Sequence, residues 1–373
     1  MTISVLVVDD SVLYRKTIAK KLQSFSGVGE VRQASNGKEA LRMFKEKPAD
    51  LVTLDIEMPL MTGLETLPEI LALRSETKVL MISSLTARGA EQTVKALTLG
   101  ATDYVTKEQA FGLTTIQAEA LEQNLDTKLK GLLDEIGKRD VSSSKVPGSV
   151  SKSVASVAPS ATTRKPPTVL GRRLSKMPVS LLLIGSSTGG PQTLQQVLGK
   201  MSPRRNYVTV IVQHMPPLFT AQLAANLTRV TKHHCFEATD GKILKAGDVV
   251  IAKGGEHLKL EKKGKVWVCR LDGGPPVKSC RPSVDVTFES VAEEIKTPEV
   301  VAMMLTGMGD DGADGMKILH EKRVPILTQE ASSCVVYGMP KAVDDLGITD
   351  VRAKPLFIVN EAEKFMSHPE VLG

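Results

Sequence analysis

The stretch V-S-L-L-L-I-G-S-S-T-G-G-P, residues 179–191, runs from a β-rich apolar segment through a glycine-rich turn into a helix with proline in its first turn. The spacing predicts a strand over 179–184 and a helix over 193–199, the first unit of an α/β domain. The pattern recurs downstream. Residues 208–212 read as a strand and 218–230 as a helix; 300–305 read as a strand, followed by a glycine-rich turn and a helix from about Ala313; 325–328 read as a further strand. Residues 256–270 alternate around Lys263-Gly264 and predict an antiparallel hairpin. Strands alternating with helices imply a parallel sheet wound on both faces.

The N-terminal part has the same grammar. Residues 3–8, 51–54, 79–82 and 103–105 are strand-like. Residues 12–25, 37–46, 64–73 and 89–99 have helical spacing, and Ser11 is placed to cap the first of these helices. A last helix from about Leu113 carries Leu121, Leu125, Leu129 and Leu132 on one face. The fold class is therefore α/β, with two doubly wound parallel-sheet domains. Between them, residues 141–170 hold 8 Ser, 4 Pro and 3 Thr and no aromatic residue, and read as a linker. The expected division is 1–125, then a helix extension and Ser/Pro/basic linker over 126–176, then 177–370.

Charge follows that division. Residues 1–137 hold 16 basic and 19 acidic residues, 138–176 hold 9 and 1, and 177–373 hold 23 and 22. The net +6 thus belongs to the linker, where no aromatic residue interleaves the cations, so no nucleic-acid partner is expected. No run approaches the roughly 20 apolar residues of a membrane helix, and no signal peptide is read, so a cytoplasmic location is expected. The four cysteines, Cys235, Cys269, Cys280 and Cys334, form no C-x-x-C pair and are expected to be reduced thiols.

In a parallel wound sheet the strand ends share one rim. At the first rim the strands end in Asp9-Asp10, Asp55, Ser83-Ser84 and Thr106-Lys107. Three carboxylates there call for a cation, and oxygen ligands suit Mg²⁺. With Lys107 and a hydroxyl beside them, the set suits phosphoryl transfer to Asp55. Residues 1 to about 125 resemble a two-component receiver domain, on V-V-D-D-S at 7–11, L-D-I-E-M-P at 54–59, Gly63, S-S at 83–84 and Y-V-T-K at 104–107. That resemblance implies a flavodoxin-like fold, Asp55 as phosphoacceptor, Mg²⁺ held by Asp9, Asp10, Asp55 and the backbone of Glu57, and Ser83, Tyr104 and Lys107 as switch residues. Glu108 stands where receivers usually carry Pro.

In the second domain, G-S-S-T-G at 185–189 contains G-x-S-x-G, which suits an exposed serine nucleophile. A phosphate or dinucleotide cradle is the other reading of such a turn, although G-x-G-x-x-G is absent. Among six histidines, His214 ends the next strand and is the candidate base, or else a structural histidine. His257 begins the hairpin and His320 lies on a helix, whereas His233, His234 and His368 are expected to face solvent. The acid at the third strand end is Asp310 or Asp311, one of which would orient the base while the other caps the following helix. The order Ser, His, Asp differs from that of α/β-hydrolases.

Taken together, I-G-S-S-T-G-G-P at 184–191, Q-H-M-P-P-L-F-T at 213–220, R-P-S-V-D at 281–285, L-T-G-M-G-D-D-G-A at 305–313 and S-C-V-V-Y-G-M-P-K-A at 333–342 resemble the chemotaxis response-regulator protein-glutamate methylesterases. The resemblance covers nearly the whole chain. It implies a Rossmann-like catalytic domain with Ser187 as nucleophile, His214 as base and Asp311 as orienting carboxylate, and Thr188 and the Met308 backbone at the oxyanion. It implies demethylation of glutamate methyl esters and deamidation of glutamines on chemoreceptors, a histidine kinase as phosphodonor, and no cofactor for hydrolysis. Ser186 stands where Ala is common and Cys280 where His is common. Two other readings stand beside it: a transcriptional or RNA-binding response regulator, which the nearly neutral 177–373 does not suit, and a phosphorylation-gated binding protein with an inactive hydrolase domain. The order receiver, linker, hydrolase predicts that the unphosphorylated receiver packs across the rim carrying Ser187.

Overall fold

The computed structural model describes residues 2–107, 118–143, 179–203, 205–296 and 299–366. The linker beyond Ser143, Glu108, Leu113 and His368 lie outside the described residues.

The first sheet has β1 (Ile3–Val8), β2 (Val28–Ala34), β3 (Leu51–Asp55), β4 (Lys78–Ser83) and β5 (Asp103–Thr106), all parallel in the order β2-β1-β3-β4-β5. β3 and β4 are buried along their whole length, as continuous apolar runs covered on both faces should be. β2 carries Glu30, Arg32 and Gln33 on a half-exposed edge, so it shows no apolar run in the sequence. The helices are α1 (Val12–Gln23), α2 (Gly37–Glu46), α3 (Gly63–Leu73), α4 (Ala87–Thr98) and α5 (Ala118–Ser143). Ser11 caps α1 through Tyr14 N–H.

The second sheet is also parallel. Its strands are β6 (Leu181–Ser186), β7 (Val208–Gln213), β8 (Cys235–Glu237), β9 (Val249–Ile251), β12 (Val300–Met304), β13 (Ile326–Gln329) and β14 (Val351–Ala353), in the order β14-β13-β12-β6-β7-β9-β8. β10 (His257–Lys263) and β11 (Val266–Asp272) form the expected antiparallel hairpin around Gly264. The helices are α6 (Gly190–Lys200), α7 (Phe219–Thr231), α8 (Val284–Glu294), α9 (Ala313–Glu321), α10 (Met339–Asp345) and α11 (Pro355–Met366). Both domains are doubly wound α/β, as the alternation implied. In each, strand order reverses beside the first strand, and the crevice of such sheets opens at that point.

The two domains pack together. One apolar cluster runs from Leu54 and Tyr104 of the first sheet to Phe219 and Ile211 of the second. Tyr104 and Phe219 stack with ring centroids 4.9 Å apart and planes at 9°. Gln192 Nε2 donates to Ala101 O at 2.8 Å and Asn226 Nδ2 to Thr98 Oγ1 at 2.9 Å, which seats α6 and α7 on α4 and its loop. Leu125, Leu129, Leu132 and Ile136 of α5 share a core with Val5 and Val7 of β1 and with Val336 of the second domain.

Leu129 is fully buried there. Leu129→Ala is expected to destabilise the first domain by about 2–5 kcal/mol, read as a lower urea midpoint. A change under about 0.5 kcal/mol would mean that α5 does not pack as described.

Candidate functional site

β6, β7 and β12 end side by side, and each delivers one side chain to the crevice. Ser187 follows β6, with its N–H bonded to Thr306 O at 3.0 Å. The next turn is left-handed at Gly189, with φ 76°. A Cβ on Gly307 would lie 2.2 Å from Met339 Sδ and 3.0 Å from Ser187 Cβ, so only glycine lets this loop lie against the serine. His214 follows β7. Its N–H bonds Ser186 O at 3.1 Å, and Gln213 Nε2 donates to both Ser187 O and His214 O. Gln213 thus ties the two loops together.

Asp311, after β12, accepts from His214 Nε2 at 2.7 Å. Three further donors hold it. These are Ser283 Oγ at 2.7 Å, Val284 N–H at 2.6 Å and Asp285 N–H at 3.3 Å. The last two are amides of the first turn of α8, where a carboxylate is favoured. Burial would push the Asp311 carboxyl up, but His214 and these donors outweigh it and hold the carboxyl below its usual range. Burial likewise opposes a charged His214 imidazole, and its bonds to Asp311 and Cys280 reverse that and raise its pKa. The other ring nitrogen, Nδ1, faces Cys280 Sγ at 3.6 Å. Among the described residues no hydrogen bond joins Ser187 Oγ to the imidazole.

The structure therefore pairs His214 with Asp311 rather than Asp310. The Asp310 carbonyl accepts from Ala313 N–H and Lys278 Nζ. The expectation that one of these acids caps α9 is corrected: the cap is Gly312, left-handed at φ 98°, and it has no side-chain cap bond. His233 is also corrected. It is buried, and its Nε2 bonds Leu198 O at 2.7 Å, because the chain turns inward after α7. His234 is exposed. His257 is buried, bonding Pro275 O and accepting from Ser283 N–H, so it props the loop that holds Asp311.

Thr188 and Met308 flank the serine, and neither backbone N–H has a hydrogen bond among the described residues. Thr188 Oγ1 donates to Asp103 Oδ2 at 2.6 Å, across the domain boundary. Met308 is covered by α5: a Cβ on Gly131 would come within 2.1 Å of its Cε. The first domain thus lies against both residues that border Ser187.

At the first rim, carboxylate oxygens of Asp9, Asp10 and Asp55 come within 4.8 Å of one another. Lys107 Nζ lies 2.8 Å from Asp55 Oδ2 and 3.9 Å from Asp9 Oδ2. Asp9 Oδ2 is buried without a hydrogen-bond partner, an orphan that a divalent cation would satisfy, so the donor set fits Mg²⁺. The carboxylate of Glu57 is instead 3.8 Å from Arg88, so any part it plays falls to its backbone. Ser83 is turned toward α4, donating to Gly89 O at 3.2 Å and accepting from Thr93 Oγ1 at 2.7 Å. Tyr104 is buried under Lys128, whose Nζ is 4.7 Å from the ring centroid.

Residues 182–361 match the family described as CheB methylesterase, and residues 5–117 match the response regulator receiver domain. The chain is 36% identical to the protein-glutamate methylesterase/protein-glutamine glutaminase of Desulfotalea psychrophila, over 93% of each. It is 39% identical to the protein of the same name from Symbiobacterium thermophilum, over 92% of each. The chain belongs to the protein-glutamate methylesterase/protein-glutamine glutaminase family. Among solved structures, the methylesterase catalytic domain of Thermotoga maritima aligns at 34% identity over 51% of this chain and 100% of that one, with a TM-score of 0.49.

Two of this methylesterase-family chain's departures acquire partners. Ser186 Oγ donates to Gln213 Oε1 at 2.7 Å, so the extra hydroxyl is satisfied in the core. Cys280 sits on the His214 ring, as above. Among the described residues no helix is long and apolar enough to cross a membrane.

Burial raises the Asp55 carboxyl from 3.8 to about 6; Lys107 offsets part of this and Asp9 adds to it. A raised carboxyl holds its proton longer in the folded state, so the receiver loses stability as pH rises from about 4 to about 6. Millimolar Mg²⁺ should therefore raise the melting temperature at about pH 8 and much less at about pH 5. The shift should vanish in Asp9→Asn. An equal shift at both pH values would refute the assignment.

Proposed function

We propose that this protein hydrolyses glutamate methyl esters, and deamidates glutamines, on chemoreceptors, under control of phosphorylation at Asp55. The receiver is assigned to 1–125, the helix extension and linker to 126–176 and the catalytic domain to 177–370. The observation that carries the reading is the 2.7 Å bond between His214 and Asp311 at the rim where Ser187 ends the adjacent strand. A receiver on the same chain supplies the control.

With Asp311 accepting from Nε2–H, Nδ1 of neutral His214 has the lone pair. A thiol is a weak hydrogen-bond partner, so the Ser187 hydroxyl can replace Cys280 there when substrate enters. Ser187 Oγ attacks the ester carbonyl and its proton passes to Nδ1. The N–H groups of Thr188 and Met308 hold the oxyanion. The imidazolium returns the proton to the departing methoxide, releasing methanol. Water, deprotonated by the same nitrogen, then cleaves the acyl-serine and leaves glutamate. A glutamine side chain follows the same course with ammonia leaving.

In the receiver, Asp55 takes a phosphoryl group from a histidine kinase. Mg²⁺ held by Asp9, Asp10, Asp55 and the Glu57 carbonyl would neutralise the phosphoryl oxygens, with Lys107 beside it. The new charge competes for the Ser83 hydroxyl that now bonds α4. α4 also carries Thr98, the partner of Asn226, so biasing α4 loosens the dock that covers Thr188 and Met308. The receiver acts as a cover, released by phosphorylation. A cytoplasmic location follows from the kinase and from the receptor face it serves.

The reading is tested by methanol release from membranes bearing methylated receptors. Ser187→Ala should abolish release and Asp311→Asn should lower it by roughly 10³–10⁴-fold. Tyr104→Ala, which removes the ring from Phe219, should raise the basal rate several-fold. Full release by Ser187→Ala would overturn the nucleophile, and a lower rate in Tyr104→Ala would overturn the cover.

A further inference from the structure

We propose that His214 and Cys280 form a zinc(II) site, and that zinc bound there shuts off the esterase. Among the described residues this is the cluster in which imidazole, thiol and carboxylate meet: the ligand atoms of His214, Cys280 and Asp311 lie within 4.8 Å of one another. Tetrahedral zinc holds N at about 2.0–2.1 Å and S at about 2.3 Å, which sets the two ligand atoms about 3.5 Å apart. Nδ1 and Sγ already stand 3.6 Å apart. Asp311 is a supporting partner and not a ligand, because its oxygens are taken by Ser283, Val284, Asp285 and Nε2. In the neutral imidazole that bond leaves the lone pair on Nδ1, the carboxylate–histidine–metal arrangement that orients a ligand.

The thiol is held in place too. Val277 and Cys280 exchange backbone hydrogen bonds at 3.1 and 2.8 Å. Lys278, left-handed at φ 46°, ties the loop down through Asp285 at 2.9 Å and Asp314 at 2.7 Å. Both ligands are partly solvent-accessible, so an ion can reach them. Cys235 and Cys269 are buried, and Cys334 Sγ faces the carbonyls of Gln329 and Glu330. A thiolate with an imidazole suits zinc and not Mg²⁺, whereas the all-oxygen cluster at Asp55 suits Mg²⁺, so the two ions have separate addresses on one chain. Binding is an exchange: the Cys280 S–H bond gives way to S–Zn and, where the imidazole is protonated, the Nδ1–H bond gives way to N–Zn; each proton leaves to solvent, and nothing is oxidised. The metal occupies the lone pair that would otherwise take the Ser187 proton. With two protein ligands the site is a reversible inhibitory one, its remaining positions filled by water. The inhibition, though not the binding, rests on the esterase reading.

The test is a cobalt(II) titration of the reduced full chain with Mg²⁺ present, followed by zinc chloride. Wild type and Ser187→Ala should both give a thiolate-to-cobalt charge-transfer band that zinc abolishes; Cys280→Ala and Cys280→Ser, checked for an unchanged melting temperature, should not. In methanol release, zinc should inhibit wild type, and each Cys280 variant, measured against its own metal-free rate, should need at least tenfold more zinc, more than the loss of an outer-shell partner alone would cause. A band that persists without Cys280, or equal zinc sensitivity in wild type and variants, overturns the site. A Cys280-dependent band in a chain that releases no methanol supports the site and overturns the esterase reading instead.

Discussion

The arrangement depends on one buried carboxylate. Asp311 is almost fully enclosed, and an ionised carboxylate there is tolerable only if its oxygens are satisfied. Ser283, the first amides of α8 and His214 supply the donors. The constraint reaches outward. α8 must begin where it does, the 273–283 loop must carry Ser283 to it, and His257 must prop that loop. The imidazole is then aimed as a consequence. Ser187 and His214 are tied by Gln213 to the ends of neighbouring parallel strands, and the serine comes to the crevice by the geometry of a wound sheet.

The second constraint is the seam between the domains. It is built from an aromatic stack, a shared apolar cluster and a few specific hydrogen bonds, and one of these, from Thr188 to Asp103, starts on the residue next to Ser187. Asp103 is itself held by Lys128 of α5. β5 carries both Tyr104 and Asp103, so one strand fills the seam and holds Thr188 beside Ser187.

Much of this was legible in the sequence. The buried central strands announce themselves as apolar runs, and Ser187, His214 and Asp55 could be read as strand-end residues. The charged and the shortest strands do not show: β2 alternates with charge, and β8, β9 and β14 are three residues each, too short for a period to register. α8 escaped although Ser283 precedes Val284, Thr287, Phe288 and Val291 at helical spacing, the signature of a capped helix, and with it went the clamp on Asp311. His233 follows a polar helix, and nothing in that pattern marks the Leu198 carbonyl that receives it. Asp103 and Gln213 act on residues 85 and 26 positions away, and no local pattern encodes such a distance. No local pattern separates Asp311 from Asp310; what distinguishes Asp311 is the set of donors that Ser283, Val284 and His214 bring to it.

The measurement that bears most directly on the account is methanol release by the full chain, from membranes with methylated receptors, before and after adding a small-molecule phosphodonor with Mg²⁺. A rate that climbs as Asp55 becomes phosphorylated, with no climb in Asp55→Asn, is the predicted result. A rate that stays flat while Asp55 is demonstrably phosphorylated would contradict the account, because the receiver would then not be a releasable cover.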